Sequence, residues 1–188
     1  MARTGEILNN VHRKRRKDLV ALSSRTDKID RGLGWDIFYR FELLSGESGT
    51  LLLETGDIDI HANDRTVRAI DLENKIVNVR VTTITDFDVV ETGNDISEKI
   101  VNSNFNFNDD IQLSFYDETS EISVNGMQKT PFSGTLKADR RLTESQFIER
   151  EYVLENNGYL AIQFENQGDG DVEIEYSASG YQIHGGDI

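Results

Sequence analysis

The chain contains no cysteine and a single proline, Pro131. Without thiols it can form neither disulfide staples nor thiolate metal sites. No apolar run approaches the ~20 residues that a membrane-spanning helix needs. The N-terminus has no apolar leader of the signal-peptide type, so neither a membrane partner nor a secretory leader is expected. The phosphate loop GxxxxGK[ST], the nucleophile elbow GxSxG and the zinc motif HExxH are all absent. Histidine is scarce (His12, His61 and His184), and lysine is outnumbered, 7 to 13, by arginine.

What is abundant is negative charge. The formal net charge is −14 over 188 residues. A surface of that sign argues against general nucleic-acid binding, which needs a basic footprint. Carboxylate-rich, lysine-poor surfaces suit solvents of high ionic strength, where self-repulsion is screened, so a halophilic source is expected. The charge is unevenly spread. Residues 1–31 hold nine Lys and Arg against four Asp and Glu, a net +5, whereas the remainder holds eleven against thirty, a net −19. A basic N-terminal arm therefore precedes a strongly acidic body, and the length is sufficient for one well-buried core.

The body reads as β. Leu160, Ile162 and Phe164 alternate with Ala161, Gln163 and Glu165, and Val172, Ile174 and Tyr176 alternate with Glu173 and Glu175. A period of two places each apolar triplet on one strand face. Gly168, Asp169, Gly170 and Asp171 supply turn chemistry between them, and Asn156-Asn157-Gly158 follows a short strand at Tyr152 to Leu154. The expectation is a three-strand antiparallel meander over residues 151–176, covered by a second sheet. Upstream, Trp35, Ile37, Tyr39, Phe41 and Leu43 alternate, with Trp35 expected to plug one end of the core. Further strands are predicted at 50–54, 66–71, 76–84 and around 111–115, with a short one near 88–91. Residues 117–142 read as a long excursion. Eight to ten strands with turns between them predict an all-β protein, a β-sandwich of jelly-roll type. The domain boundaries that follow are an arm at 1–31, a sandwich at 35–180 and a glycine-containing tail at 181–188.

Candidate sites are few. Residues 6–23 form a possible helix whose apolar side, including Leu19 and Val20, is interrupted by Arg13, Lys14, Arg15, Arg16 and Lys17. Such a helix is marginal alone and needs a surface to pack on. That surface is either the chain's own acidic body or an acidic neighbour. Asp57, Asp59 and His61 share one strand face, and a carboxylate–carboxylate–imidazole row can hold a divalent metal. The same spacing is what any strand with Ile58 and Ile60 inward would show, so no metal is assigned. Asp169 and Asp171 have oxygen chemistry suited to Ca²⁺, but a tight turn requires the same residues.

Four stretches, taken in order, carry a family resemblance: RKRRKDL in the arm; the aromatic strand with FELLSGESGTLLLETGD; FYDETSEISVNGMQKTPFSG; and EYVLENNGYLAIQFENQGDGDVEIEY. Their order resembles that of the capsid decoration, or auxiliary head, proteins of tailed viruses. The resemblance is one of type and order and transfers no residue by motif. It implies a non-enzymatic, multimeric β-sandwich on the capsid surface of a virion, bound to the major capsid protein or another virion protein and carrying no cofactor. With the acidic composition, it points to a haloarchaeal host. Arg13, Lys14, Arg15, Arg16, Lys17, Leu19 and Val20 would then form a docking arm. The alternative is a jelly-roll module on a viral tail or vertex that recognises host glycans. A third class, a small carbohydrate-active enzyme, would need two facing carboxylates in a cleft.

Overall fold

Alternating apolar and polar side chains build two sheets that share one core. The computed structural model describes residues 34–73, 75, 77–102, 111–125, 132–139, 142–143, 145–147 and 152–183. The basic arm with its candidate docking residues, Pro131 and His184 lie outside the described residues. The first sheet contains β1 (Gly34–Leu43), β3 (Asp59–Asp71), β6 (Ile100–Asn102), β11 (Ser145–Phe147), β12 (Tyr152–Leu154) and β14 (Val172–Ile183). Its order is β11-β3-β14-β1-β6, with β12 also pairing with β3. The second contains β2 (Ser48–Thr55), β4 (Val77–Ile84), β7 (Leu113–Tyr116), β9 (Phe132–Asp139), β10 (Leu142–Thr143) and β13 (Tyr159–Asn166). Its order is β10-β9-β4-β13-β2-β7. Two further strands, β5 (Phe87–Glu91) and β8 (Glu121–Val124), form a separate ribbon. Every pairing between these strands is antiparallel. The only helical element among the described residues is a 3₁₀ turn at Ser97–Lys99. The protein is an all-β sandwich.

The inward faces follow the predicted alternation. Leu160, Ile162, Phe164, Val172 and Ile174 are buried, and Trp35, Ile37, Phe41 and Leu43 join them from β1. Aromatic contacts knit the two sheets together: Phe41 meets Phe164 edge-on at 5.3 Å, and Phe115 stacks on Tyr176 at 5.9 Å. Burial pushes the Tyr176 hydroxyl up to about 12 despite the nearby Arg65 charge, so it stays neutral.

The expected meander is not how the last three strands pair. β12 pairs with β3, β13 lies between β2 and β4, and β14 lies between β3 and β1. The turns at 156–158 and 167–171 are therefore arches that carry the chain from one sheet to the other. The physical reason is that a tight turn reverses the chain equally well within a sheet or across the sandwich. Crossing lets both apolar faces meet in one core. Asn157 takes the left-handed conformation this reversal requires, with φ 51°. The β1–β2, β2–β3 and β3–β4 connections cross between the sheets in the same way.

Other differences are local. Residues 59–61 of the segment expected at 57–61 and the strand expected at 66–71 belong to one strand, β3, irregular at Asn63, which has no counterpart where Ser179 faces Asp64 and Gly180 faces Ala62. The excursion at 117–142 contains β8 and the full-length β9. β14 runs on to Ile183, so Tyr181 and Gln182, expected in the tail, are buried strand residues.

Candidate functional site

The outer face of the second sheet is divided in two by register. Ala161 lies opposite both Leu52 and Ile84, an apolar row. The β5–β8 ribbon covers it with Phe87, Val89, Ile122 and Val124. The next two rows are polar. Gln163 lies opposite Thr50 and Thr82, and Glu165 lies opposite Ser48 and Arg80. These rows lie beyond the ribbon's apolar contacts, with Ser48 and Arg80 exposed, Gln163 and Glu165 half-buried and Thr50 and Thr82 recessed between them, and the segment 118–122 stands beside them as a wall. The result is a trough with two lobes. The larger, about 350 Å³, is lined by Ser48, Gly49, Thr50, Gln163 and residues 118–122. The smaller, about 100 Å³, is lined by Arg80, Thr82, Gln163 and Glu165. Gln163 belongs to both.

One buried carboxylate holds the wall in place. Asp117 Oδ1 accepts hydrogen bonds from the Asn94 and Thr119 backbone N–H groups (3.0 and 3.1 Å) and from Thr119 Oγ1 (2.6 Å). Its Oδ2 accepts from Asn94 Nδ2 at 2.5 Å. Burial alone would raise this carboxyl, but the donors from Thr119 and Asn94 outweigh it and hold the group below the usual carboxylate range. Ser120 Oγ then donates to the Asp117 carbonyl and accepts from Gly93 N–H. Past this knot, Thr50 N–H donates to the Glu118 carbonyl at 2.8 Å, which pins the wall to the edge of β2. Tyr39 O–H donates to Glu118 Oε2 at 2.8 Å, a tie to the first sheet; burial, then the Glu118 carboxylate, push this hydroxyl well above its ordinary value.

A second carboxylate feature lies at the other end of the same face. Glu54 accepts from Tyr116 O–H at 2.8 Å and from Tyr159 O–H at 2.6 Å. Burial, with the Glu54 hydrogen bond and charge, pushes Tyr116 up to about 12. On the opposite face of the protein, the nearly buried Glu175 sits between the half-exposed Arg40 and Arg68. The outward face of β14 therefore neutralises at least one of its carboxylates.

The row Asp57, Asp59 and His61 is occupied with structural work. Asp59 Oδ1 accepts from Asn156 N–H at 2.8 Å. Asp57 precedes β3 in a bend, where its N–H donates to Gln112 Oε1. His61 stacks on Tyr181 at 4.8 Å, with Nδ1 3.1 Å from the tyrosine hydroxyl. Among the described residues no group of three His, Asp or Glu is arranged to hold a metal ion. Asp171 Oδ1 accepts from Ser45 N–H and the Asp169 carbonyl from Lys75 Nζ, so both aspartates fasten turns.

Sequence reasoning missed the trough. Thr50, Thr82 and Gln163 are ordinary polar outward positions on three distant strands, and only strand register makes them neighbours. The signal that could have pointed to Asp117 is the run Asp117, Glu118, Thr119, Ser120, a local cluster of side chains able to bond their own backbone. No protein-family model matches this chain, and no curated protein is a match to it.

Proposed function

We propose that the chain is a non-enzymatic virion structural protein that binds the outer capsid surface, with residues 1–31 as its docking arm and the sandwich as the body facing outward. The observation that carries this reading is the polarity of the sandwich. The chain enters at Gly34 and leaves β14 at Ile183 at one end, where Gly34 lies opposite Tyr181. The opposite end is closed by the turns after Leu43, Asp71 and Asn166. Asn166 Nδ2 donates to the Leu43, Leu44 and Gly170 carbonyls, and Ser45 and Leu72 N–H both bond Asp171. A body whose +5 segment leaves from one end, with the opposite end tied by turns, suits attachment through that segment. The partner's surface would be carboxylate-lined, as on the major capsid protein of an acidic particle.

The strand order supports a jelly-roll reading of the sandwich. Strands 11-3-14-1 face strands 9-4-13-2, and the chain alternates between the sheets over β1 to β4 and again over β12 to β14. Fold alone does not fix function, so the arm is where the reading is tested. Exposed ion pairs contribute only ~0–1 kcal/mol each. Leu19 and Val20 must therefore bury apolar area on the partner, with Arg13, Lys14, Arg15, Arg16 and Lys17 setting orientation and encounter rate. The chain lacking residues 1–31 is expected to stay folded and soluble and to fail to sediment with particles that lack the protein. Wild-type occupancy by the truncated chain would remove the arm from the mechanism.

A further inference from the structure

We infer that the trough on the outer face of the second sheet is a binding site for a neutral, hydroxyl-rich glycan, with Gln163 as its central contact. The inference is independent of how the arm docks.

The chemistry of the trough narrows the ligand class step by step. The backbones of β2, β13 and β4 are already paired with one another, so an extended peptide cannot add there as a strand. An amphipathic helix would need an apolar groove, yet the apolar half of this face is covered by the ribbon, and the open half offers Ile122 as its one large apolar side chain. An anion is disfavoured, because Glu118, Glu121 and Glu165 face it against the single cation Arg80. A metal ion finds no cluster of three ligands among the described residues. What remains is a neutral ligand that both donates and accepts hydrogen bonds at close spacing.

The lining matches that ligand. Hydroxyls of Ser48, Thr50 and Thr82 each donate and accept, and the Gln163 amide does both at once. Among the described residues, no hydrogen bond of the fold engages the Gln163 side chain, whereas the structural carboxylate behind the wall, Asp117, is held by four donors. Glu121 adds an acceptor at the wall, and carboxylates pair well with neighbouring sugar hydroxyls. Thr50 and Thr82 are nearly buried and sit on central strands, so the array is rigid before any ligand arrives, which lowers the ordering cost of binding. The larger lobe falls in the ~300–1,000 Å³ range of small-ligand sites. The second lobe, reached across Gln163, gives room for a neighbouring sugar unit.

The experiment is a printed array of neutral and anionic glycans probed with the full chain, followed by ¹⁵N–¹H NMR titration with the best oligosaccharide. Two variants accompany it: Gln163→Ala, which removes the central amide, and Ser48→Arg, which fills the larger lobe from an exposed position. Neither touches the core, and the NMR spectrum of each reports whether it is folded. The expected result is retention of neutral glycans, with shifts at the Gln163 side-chain amide and the backbone of Thr50, Thr82 and Ser120. Gln163→Ala should weaken binding on the order of tenfold, and Ser48→Arg should abolish it. Retention of no neutral glycan, preference for anionic ones, shifts centred elsewhere, or binding unchanged in both folded variants would each overturn the inference. Loss of particle docking on arm deletion with glycan binding intact separates this site from the capsid reading.

Discussion

Asp117 illustrates how a single side chain can shape a surface without meeting a ligand. Four donors converge on its carboxylate, and Gly93 is a glycine because a Cβ there would collide with Asp117 Oδ1. In Asp117→Asn the amide would place its own donors against Asn94 or Thr119, leaving a buried polar group unpaired, at a cost of about 1–3 kcal/mol. Urea unfolding at neutral pH measures this directly. The sign of the pH effect follows from the depressed pKa of the folded state. The stabilisation is fully present above the ordinary carboxylate value of ~4 and is lost as pH falls through the lower folded value. Wild-type stability should therefore decline on acidification below about pH 4, and the decline should be shallower in Asp117→Asn. An equal slope in both proteins would show that Asp117 is not the group being protonated.

At the scale of elements, β3 and β14 form the longest pairing among the described residues, and it is interrupted at one place. Gly180 faces Ala62 just past the irregularity at Asn63. A Cβ at Gly180 would strike the His61 carbonyl and come within 2.8 Å of Trp35 Cζ2. Neither neighbour can yield, since one is backbone and the other is a fully buried indole. Gly180→Ala should cost about 3 kcal/mol or more, or shift the register of β14. Thermal unfolding and the NMR spectrum check this, and a variant as stable as the wild type would show that the strands separate here more easily than their packing implies. The same element shows where the sequence was legible. The alternation of Val172, Ile174 and Tyr176 identified the inward face correctly, and by parity it extends to Ala178, Gly180 and Gln182. It did not reveal the end of the strand, because Tyr181 and the residues after it, in a glycine-containing stretch, look like a tail when their partners on β3 are unknown.

For the molecule as a whole, charge is the dominant feature. Outside the first 31 residues the chain carries −19, a sum that already includes the cross-strand triad of Arg40, Glu175 and Arg68. Self-repulsion is screened as the Debye length falls from ~10 Å at 0.1 M to ~3 Å at 1 M salt. The half-exposed ion pairs weaken under the same screening, but each is worth at most ~1 kcal/mol. The midpoint of thermal unfolding should therefore rise between 0.1 and 2 M NaCl, about the range over which screening changes most. A midpoint lower in high salt would mean that the few ion pairs outweigh the net charge.

Composition and periodicity by themselves determined the β class, the inward residues of the strongest strands and the division between a basic arm and an acidic body. These are properties of short windows, where side-chain parity and net charge act without knowledge of partners. Only the tertiary structure decided that Asn156-Asn157-Gly158 and the turn at 167–171 are arches between sheets, that Phe132–Asp139 is a strand of the second sheet despite Gly134 and its weak alternation, and that Tyr181 stacks on His61. It also decided that Thr50, Thr82 and Gln163 meet. The reason is that strand pairing is non-local. A turn's chemistry specifies reversal but not the sheet to which the chain returns, and side chains separated by 32 and 81 positions become neighbours only through register.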